Sequence, residues 1–159
     1  KDKDRYYDEY TKLAKDSIYL TQINQLYLDQ RGLTPGAPSP GFNLKNVNEQ
    51  TISLSAFKGK YTYIDIWATW CGPCIAEIPP LKEIENRYSG KVNFVSISID
   101  EAKDINKWKN FVKARKLKGT QLIADNAWNS EFIKRYGIAS IPRFILLDPA
   151  GNIVSALLE

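Results

Sequence analysis

Histidine and methionine are missing from the sequence, and cysteine occurs only at Cys71 and Cys74. A structural zinc ion takes four ligands, mostly cysteine and histidine, so a zinc site would need two carboxylates or a second chain and is not expected. No apolar run approaches the roughly 20 residues of a membrane-spanning helix. Basic residues outnumber acidic ones only by 22 to 18 and are interspersed with them, so nucleic acid is not an expected partner.

The sequence shows no initiator methionine and no signal-peptide pattern, and it starts at Lys1 inside a helical pattern. We therefore expect a mature or truncated product, with any export signal, upstream domain or membrane anchor outside this chain. Hydrophobic residues make up 43% of the sequence, which is enough for one full core. The predicted organisation is an N-terminal helical segment (a linker or the tail of an upstream domain) over residues 1–33 and one domain over residues 34–159.

One-sided apolar spacing runs through the N-terminal segment and predicts a helix from Lys1 to Arg31, stopped by Gly32. Its stripe consists of Tyr6, Tyr10, Leu13, Ser17, Leu20 and Tyr27, with Ile23 and Leu26 beside it. The periodicity leaves three alternatives open. The stripe can dock on the main domain, bind a partner, or belong to a missing upstream domain.

Strands and helices alternate after a linker rich in proline and glycine, which indicates an α/β sheet that is parallel in its first half. A hairpin over 42–47 and 50–57 precedes the alternation, and a second hairpin closes it with antiparallel edges. The remaining predicted strands are 61–68, 92–99, 120–124, 143–148 and 153–158. The predicted helices are 73–88, 104–117 and 129–136.

The two cysteines stand in the order strand, Cys-x-x-Cys, helix, which favours a redox pair over a metal site or two inert thiols. Backbone N–H groups and the dipole at a helix start stabilise a thiolate at Cys71, whereas Cys74 lies one turn deeper. Gly72 lets the turn approach a substrate backbone. Pro73 fits the first helical turn, where no N–H is needed.

"DIWATWCGPC", residues 65–74, resembles the active-site stretch of the thioredoxin superfamily, and "YGIASIPRFILLD" resembles its second signature. The resemblance implies a cis peptide bond between Ile141 and Pro142, facing the cysteines, and a kink in the active-site helix at Pro79. The stretch from Pro35 to Leu81 looks like the extracytoplasmic TlpA/ResA-type reductases. The implied fold is thioredoxin-like, a central mixed β-sheet flanked by helices, with an N-terminal β-hairpin extension and a leading α-helix.

Roles for the site residues follow as hypotheses. Cys71 is the expected nucleophile and Cys74 the resolving thiol. Asp65 stands among apolar residues, so we expect a raised pKa suited to proton exchange with Cys74. Thioredoxins often place a lysine near this acid, but Ser96 stands at that position. Glu77 matches an acid at the active-site surface of the TlpA/ResA type. The substrate is expected to contact Trp70, Gly72, Pro73, Ile141 and Pro142, pairing as a strand with the backbone of Ile141.

The resemblance implies a thiol-disulfide oxidoreductase with no cofactor besides the redox-active disulfide Cys71–Cys74. Gly72-Pro73 is the dipeptide of reducing thioredoxins, so we expect a reductant. Its implied partners are a disulfide-containing protein, such as apocytochrome c during cytochrome c maturation, and an upstream thiol electron donor. The implied location is extracytoplasmic, in the periplasm or on a membrane anchor facing it.

Two alternative functions belong to other classes of protein. A peroxiredoxin-like peroxidase carries a Pro-x-x-x-Thr-x-x-Cys run, but Ile64 and Ala68 stand where the proline and threonine before Cys71 should be. A non-enzymatic docking module, switched by the disulfide, would use the N-terminal helix to bind a partner. Exposure of the helix stripe would favour this module, and burial of the stripe would remove the reason for it.

Overall fold

The computed structural model describes Glu9, residues 17–30 and residues 32–158. Seven strands form one mixed sheet, which confirms the predicted α/β class. The strands are β1 (Asn43–Asn46), β2 (Thr51–Ser53), β3 (Tyr61–Trp67), β4 (Val92–Ser98), β5 (Thr120–Ile123), β6 (Arg143–Leu147) and β7 (Ile153–Leu158). The helices are α1 (Ser17–Gln30), α2 (Gly72–Ala76), α3 (Ile78–Arg87), α4 (Ile105–Ala114) and α5 (Glu131–Arg135).

The spatial order of the strands is β2-β1-β5-β4-β3-β6-β7. Strands β3, β4 and β5 are parallel neighbours, and both edges of the sheet are antiparallel. The N-terminal hairpin therefore extends the sheet beside β5, and the closing hairpin extends it beside β3. This arrangement places the carboxyl ends of β3 and β4 side by side, next to the start of α2.

The apolar core lies mainly on one face of the central strands. Alternation along each strand puts β-branched and leucine side chains on that face, and the pairing registers bring them together. The fully buried apolar members on β3, β4, β5 and β6 are Ile64, Ile66, Val95, Ile97, Leu122, Ile145 and Leu147. The residues between them point to the opposite face, where polar side chains appear.

Two predicted elements differ in the structure. The expected strand 50–57 ends at Ser53 and continues as a 3₁₀ turn over Leu54–Phe57, because the Ser53 hydroxyl accepts a hydrogen bond from the Ser55 N–H at 3.3 Å. The expected helix 73–88 consists of α2 and α3, which meet at Glu77. Pro79 lies in the first turn of α3 and has no N–H to continue the ladder of α2, which accounts for the break.

Helix α1 packs beside β7, and its C-terminus is fixed by Gly32 at φ +69°. The Leu33 N–H donates to the Leu28 carbonyl at 2.9 Å, which closes the last turn. Leu28 is buried, whereas Leu26 is 59% exposed. Tyr6, Tyr10 and Leu13 lie outside the described residues, so the extent of the N-terminal segment stays a prediction. No helix among the described residues is long and apolar enough to span a membrane.

Candidate active site

Cys71 is the residue that caps the N-terminus of α2, and it forms a disulfide with Cys74. The Cys74 N–H donates a hydrogen bond to Cys71 Sγ at 3.2 Å. Both cysteines are buried, with 5% and 4% of their surface exposed. The first sulfur therefore sits where unpaired N–H groups and the helix dipole stabilise negative charge, as the strand–cysteine–helix order predicts.

An exposed rim surrounds the disulfide. Trp70 is 52% exposed, and Gly72 and Pro73 also lie at the surface. The Ile141–Pro142 peptide bond is cis, as the resemblance implies. The Ile141 carbonyl oxygen lies 4.0 Å from Cys71 Sγ. The structure thus places the predicted substrate-contacting residues around the capping sulfur.

Asp100 holds the loop before Cys71, and the sequence analysis missed it. Its carboxylate accepts hydrogen bonds from the Thr69 N–H at 3.0 Å and from the Thr69 hydroxyl at 2.6 Å. The Ser98 hydroxyl donates a third bond at 2.6 Å. Asp100 is 1% exposed, so all three bonds are shielded from water. Its position just after β4 was a usable signal, because the ends of parallel neighbouring strands meet.

Asp65 lies on β3, on the face opposite the apolar core, and is 8% exposed. Burial raises the pKa of Asp65 to about 7. The Ser96 hydroxyl donates to Asp65 Oδ1 at 2.6 Å and opposes this rise. A cavity of about 30 Å³ is lined by both Asp65 and Cys74. The pKa of Asp65 is therefore raised, as expected from the sequence. Its hydrogen-bond partner on β4 is Ser96 and not a lysine, also as expected.

Glu77 joins α2 to α3 and is exposed at the mouth of the same cavity. Its N–H donates to the Cys74 carbonyl at 3.2 Å. Burial raises the pKa of Tyr63 to about 12, with additional contributions from the negative charges of Asp65 and Glu77. Glu77 therefore lines the cavity that holds Asp65 and Cys74, and its charge contributes to the raised pKa of Tyr63.

Arg143 follows Pro142 in the sequence but takes no part in this site. The Arg143 side chain is buried, with 9% exposed. It lines a small cavity under α1 with Tyr27 and Tyr136, whereas Pro142 and Phe144 line the cavity beside Asp65. The alternation of β6 explains the difference, since neighbouring side chains point to opposite faces.

Comparison with known proteins identifies the group to which this site belongs. Residues 34–159 match the Redoxin family. The chain belongs to that family. It is 34% identical over 142 residues to the thiol-disulfide oxidoreductase ResA of Bacillus thuringiensis subsp. konkukian, covering 89% of this chain and 79% of that protein.

Solved structures agree with this assignment. The solution structure of a Bacteroides vulgatus protein described as a thiol-disulfide oxidoreductase is 46% identical, with a TM-score of 0.67 over 80% of this chain and 82% of that one. A thiol-disulfide oxidoreductase from Bacteroides fragilis is 29% identical, with a TM-score of 0.70 over 77% and 90%. The fold is therefore thioredoxin-like, of the TlpA/ResA type. The chain is an enzyme, a thiol-disulfide oxidoreductase able to reduce disulfides through a Cys-x-x-Cys pair.

Proposed function

We propose that the enzyme works as a reductant of disulfides in proteins outside the cytoplasm, with apocytochrome c among its substrates. The observation that carries the proposal is the position of Cys71 Sγ. It caps a helix N-terminus, accepts the Cys74 N–H, and lies beside the Ile141 carbonyl within an exposed rim. A protein segment can therefore pair along the rim with its disulfide against the capping sulfur.

The proposed chemistry is a two-electron exchange. The Cys71 thiolate attacks one sulfur of the substrate disulfide, which forms a mixed disulfide and releases the other sulfur as a thiolate that takes a proton from solvent. Cys74 then gives its proton to the Asp65 carboxylate, and its thiolate attacks Cys71 Sγ. The second substrate sulfur leaves as a thiolate that takes a proton from solvent, and the Cys71–Cys74 disulfide remains. An upstream thiol donor reduces this disulfide again, so no further cofactor is needed.

Support for the direction comes from Gly72-Pro73, the pair found between the cysteines of reducing thioredoxins. The helix N-terminus makes the Cys71 thiolate available for attack, but by itself it does not favour the reductant direction, because stabilising the reduced form raises the potential. Glu77 places negative charge at the mouth of the site, where it selects against acidic substrate segments. The location outside the cytoplasm and the cytochrome substrate rest on the resemblance to TlpA/ResA-type reductases.

Trapping with Cys74→Ser tests the function and its substrate. The expected result is a stable mixed disulfide between Cys71 and an oxidised apocytochrome c, identified by mass. The matched variant Cys71→Ser keeps one thiol but should trap nothing. Oxidised insulin serves as a general substrate, so trapping of insulin alone would contradict the cytochrome assignment, and trapping through Cys74 would contradict the assigned roles.

The direction is tested by equilibrating the enzyme with a thiol–disulfide buffer of known potential. We expect a potential near that of thioredoxin, about −270 mV. A value above about −180 mV, where isomerases lie, would contradict the reductant assignment.

A further inference from the structure

A row of polar side chains crosses three strands behind the active site. Asp65 on β3 pairs in register with Ser96 on β4, and Ser96 pairs with Gln121 on β5. Register partners point to the same face of a sheet, so the three side chains form a continuous row. All three are buried and line the cavity of about 30 Å³ that also contacts Cys74. A cavity of this volume has room for a water molecule.

Gln121 is the last side chain of this row, and one of its polar atoms has no hydrogen-bond partner among the described residues. Its Nε2 donates to the Lys118 carbonyl at 2.6 Å, but Oε1 is buried and has no hydrogen-bond partner among the described residues. Buried polar atoms are nearly always hydrogen-bonded, so we expect a hydrogen-bond donor to Gln121 Oε1 within the cavity. A water molecule or a protonated carboxyl group would supply it.

Glu85 on α3 lies between this cavity and a wider groove of about 320 Å³ at the surface. Both spaces are lined by Glu85 and Lys118. Glu85 is 7% exposed, and a Cβ built on Gly119 would lie 3.1 Å from its Oε1. Its carboxylate therefore packs against the loop between α4 and β5, at the boundary between the inner cavity and solvent.

Several structural elements place charged or polar groups around Asp65 and Glu85. Lys82 on α3 and Lys118 in the loop between α4 and β5 face Glu85. Lys82 Nζ, however, donates to the Arg115 carbonyl at 2.6 Å, and Lys118 Nζ donates to Asn86 Oδ1 at 2.8 Å. Asp65 is faced by the groups already described, Tyr63, Cys74, Glu77 and Ser96. Burial raises the pKa of Glu85, and the negative charge of Glu85 adds to the rise at Asp65.

We propose that Glu85 is a positioning residue through which Asp65 exchanges its proton with solvent, by way of a water in the cavity that donates a hydrogen bond to Gln121 Oε1. The inference rests on the proposed function, in which Asp65 takes the Cys74 proton. The proton leaves the Asp65 carboxyl group for a water in the cavity, passes to the Glu85 carboxylate, and is released into the outer groove. The reverse path returns a proton to Asp65, and from there to Cys74, when the disulfide is reduced.

Carboxyl ¹³C NMR on the oxidised full chain tests the proposal without turnover. The rate of exchange between protonated and ionised Asp65, measured at its midpoint, should fall about tenfold or more in Glu85→Gln. The Asp65 midpoint should also move to lower pH, because a negative charge is removed. Glu83→Gln is the matched control, since Glu83 is exposed on the same helix and loses the same charge. An unchanged exchange rate in Glu85→Gln overturns the proposal even if the midpoint moves.

A second measurement tests the proposal even if Glu85→Gln fails to fold. In the unsubstituted protein, the Glu85 carboxyl signal should show a second inflection at the Asp65 midpoint, and Asp65→Asn should abolish it. A single inflection unaffected by Asp65→Asn overturns the proposal. Insulin reduction measured on the same samples separates the two proposals. If Asp65 and Glu85 titrate together but insulin is not reduced, only the proposed function is contradicted. If insulin is reduced but the two acids titrate independently, only the Glu85 route is contradicted.

Discussion

The Ser96 hydroxyl donates a hydrogen bond to Asp65 Oδ1 at 2.6 Å, at the register point where β3 and β4 pair beneath Cys74. This neutral donor stands where thioredoxins often carry a lysine. A hydroxyl stabilises the carboxylate less than an ammonium ion would, so burial dominates and the Asp65 pKa rises to about 7. The site therefore contains a base that changes its charge close to neutral pH.

Replacing Ser96 should raise the pH at which Asp65 changes its charge. In Ser96→Ala the hydrogen bond that lowers the Asp65 pKa is lost, so the midpoint should rise above 7. Less carboxylate is then available at pH 7, and release of substrate from the mixed disulfide should slow. Carboxyl ¹³C NMR and stopped-flow reduction of insulin measure the two effects.

Ser130→Ala is the control for the Ser96 variant. Ser130 is also a buried serine, but its hydroxyl has no hydrogen-bond partner among the described residues. We expect neither the Asp65 midpoint nor the release rate to change. An Asp65 midpoint that stays near 7 in Ser96→Ala would show that burial alone sets it.

The raised pKa of Asp65 also predicts how stability depends on pH. The folded state binds this proton more tightly than the unfolded chain, whose carboxyl titrates near 3.8. The group therefore stabilises the fold fully below pH 3.8, and this contribution is lost as pH rises to about 7. At about 1.4 kcal/mol per pH unit, the loss amounts to as much as about 4 kcal/mol.

Asp65→Asn should remove this dependence. Above pH 7 the variant should be more stable than the unsubstituted protein, by about 2–4 kcal/mol, because no charge is buried. Urea denaturation at intervals from pH 4 to pH 8 gives both curves. Parallel curves for the two proteins would mean that Asp65 titrates at an ordinary pKa in the folded state.

The sequence predicts the parts of the site that depend on local order along the chain. The Cys-x-x-Cys pair after a strand places Cys71 at a helix start, and an acid within an apolar strand marks Asp65. The polar row was not predicted, because the neighbour of Ser96 on β5 depends on the sheet register. Glu85 carried a local signal that was missed. It follows Ile78 and Leu81 at steps of three and four, on the side of α3 that faces the sheet.

The loop that carries Trp70 should depend on Asp100. Asp100→Ala removes the acceptor of three hydrogen bonds, two of them from Thr69, and should lower the free energy of unfolding by about 2–4 kcal/mol. Insulin reduction should fall as well, since the loop leads directly into Cys71. Denaturation and activity assays measure both. Asp125→Ala, at an exposed aspartate, is the control, and equal effects of the two substitutions would contradict the anchoring role.

Helix α1 offers a matched pair of leucines that tests its docking. Leu28 is 6% exposed and belongs to the main core cluster, whereas Leu26, on the same helix, is 59% exposed. Leu28→Ala should lower the free energy of unfolding by about 2–4 kcal/mol, and Leu26→Ala should change it by less than about 0.5 kcal/mol. Urea denaturation of both variants measures the difference. Equally small effects would mean that the helix contributes little to the fold, which would favour the alternative in which it serves a partner.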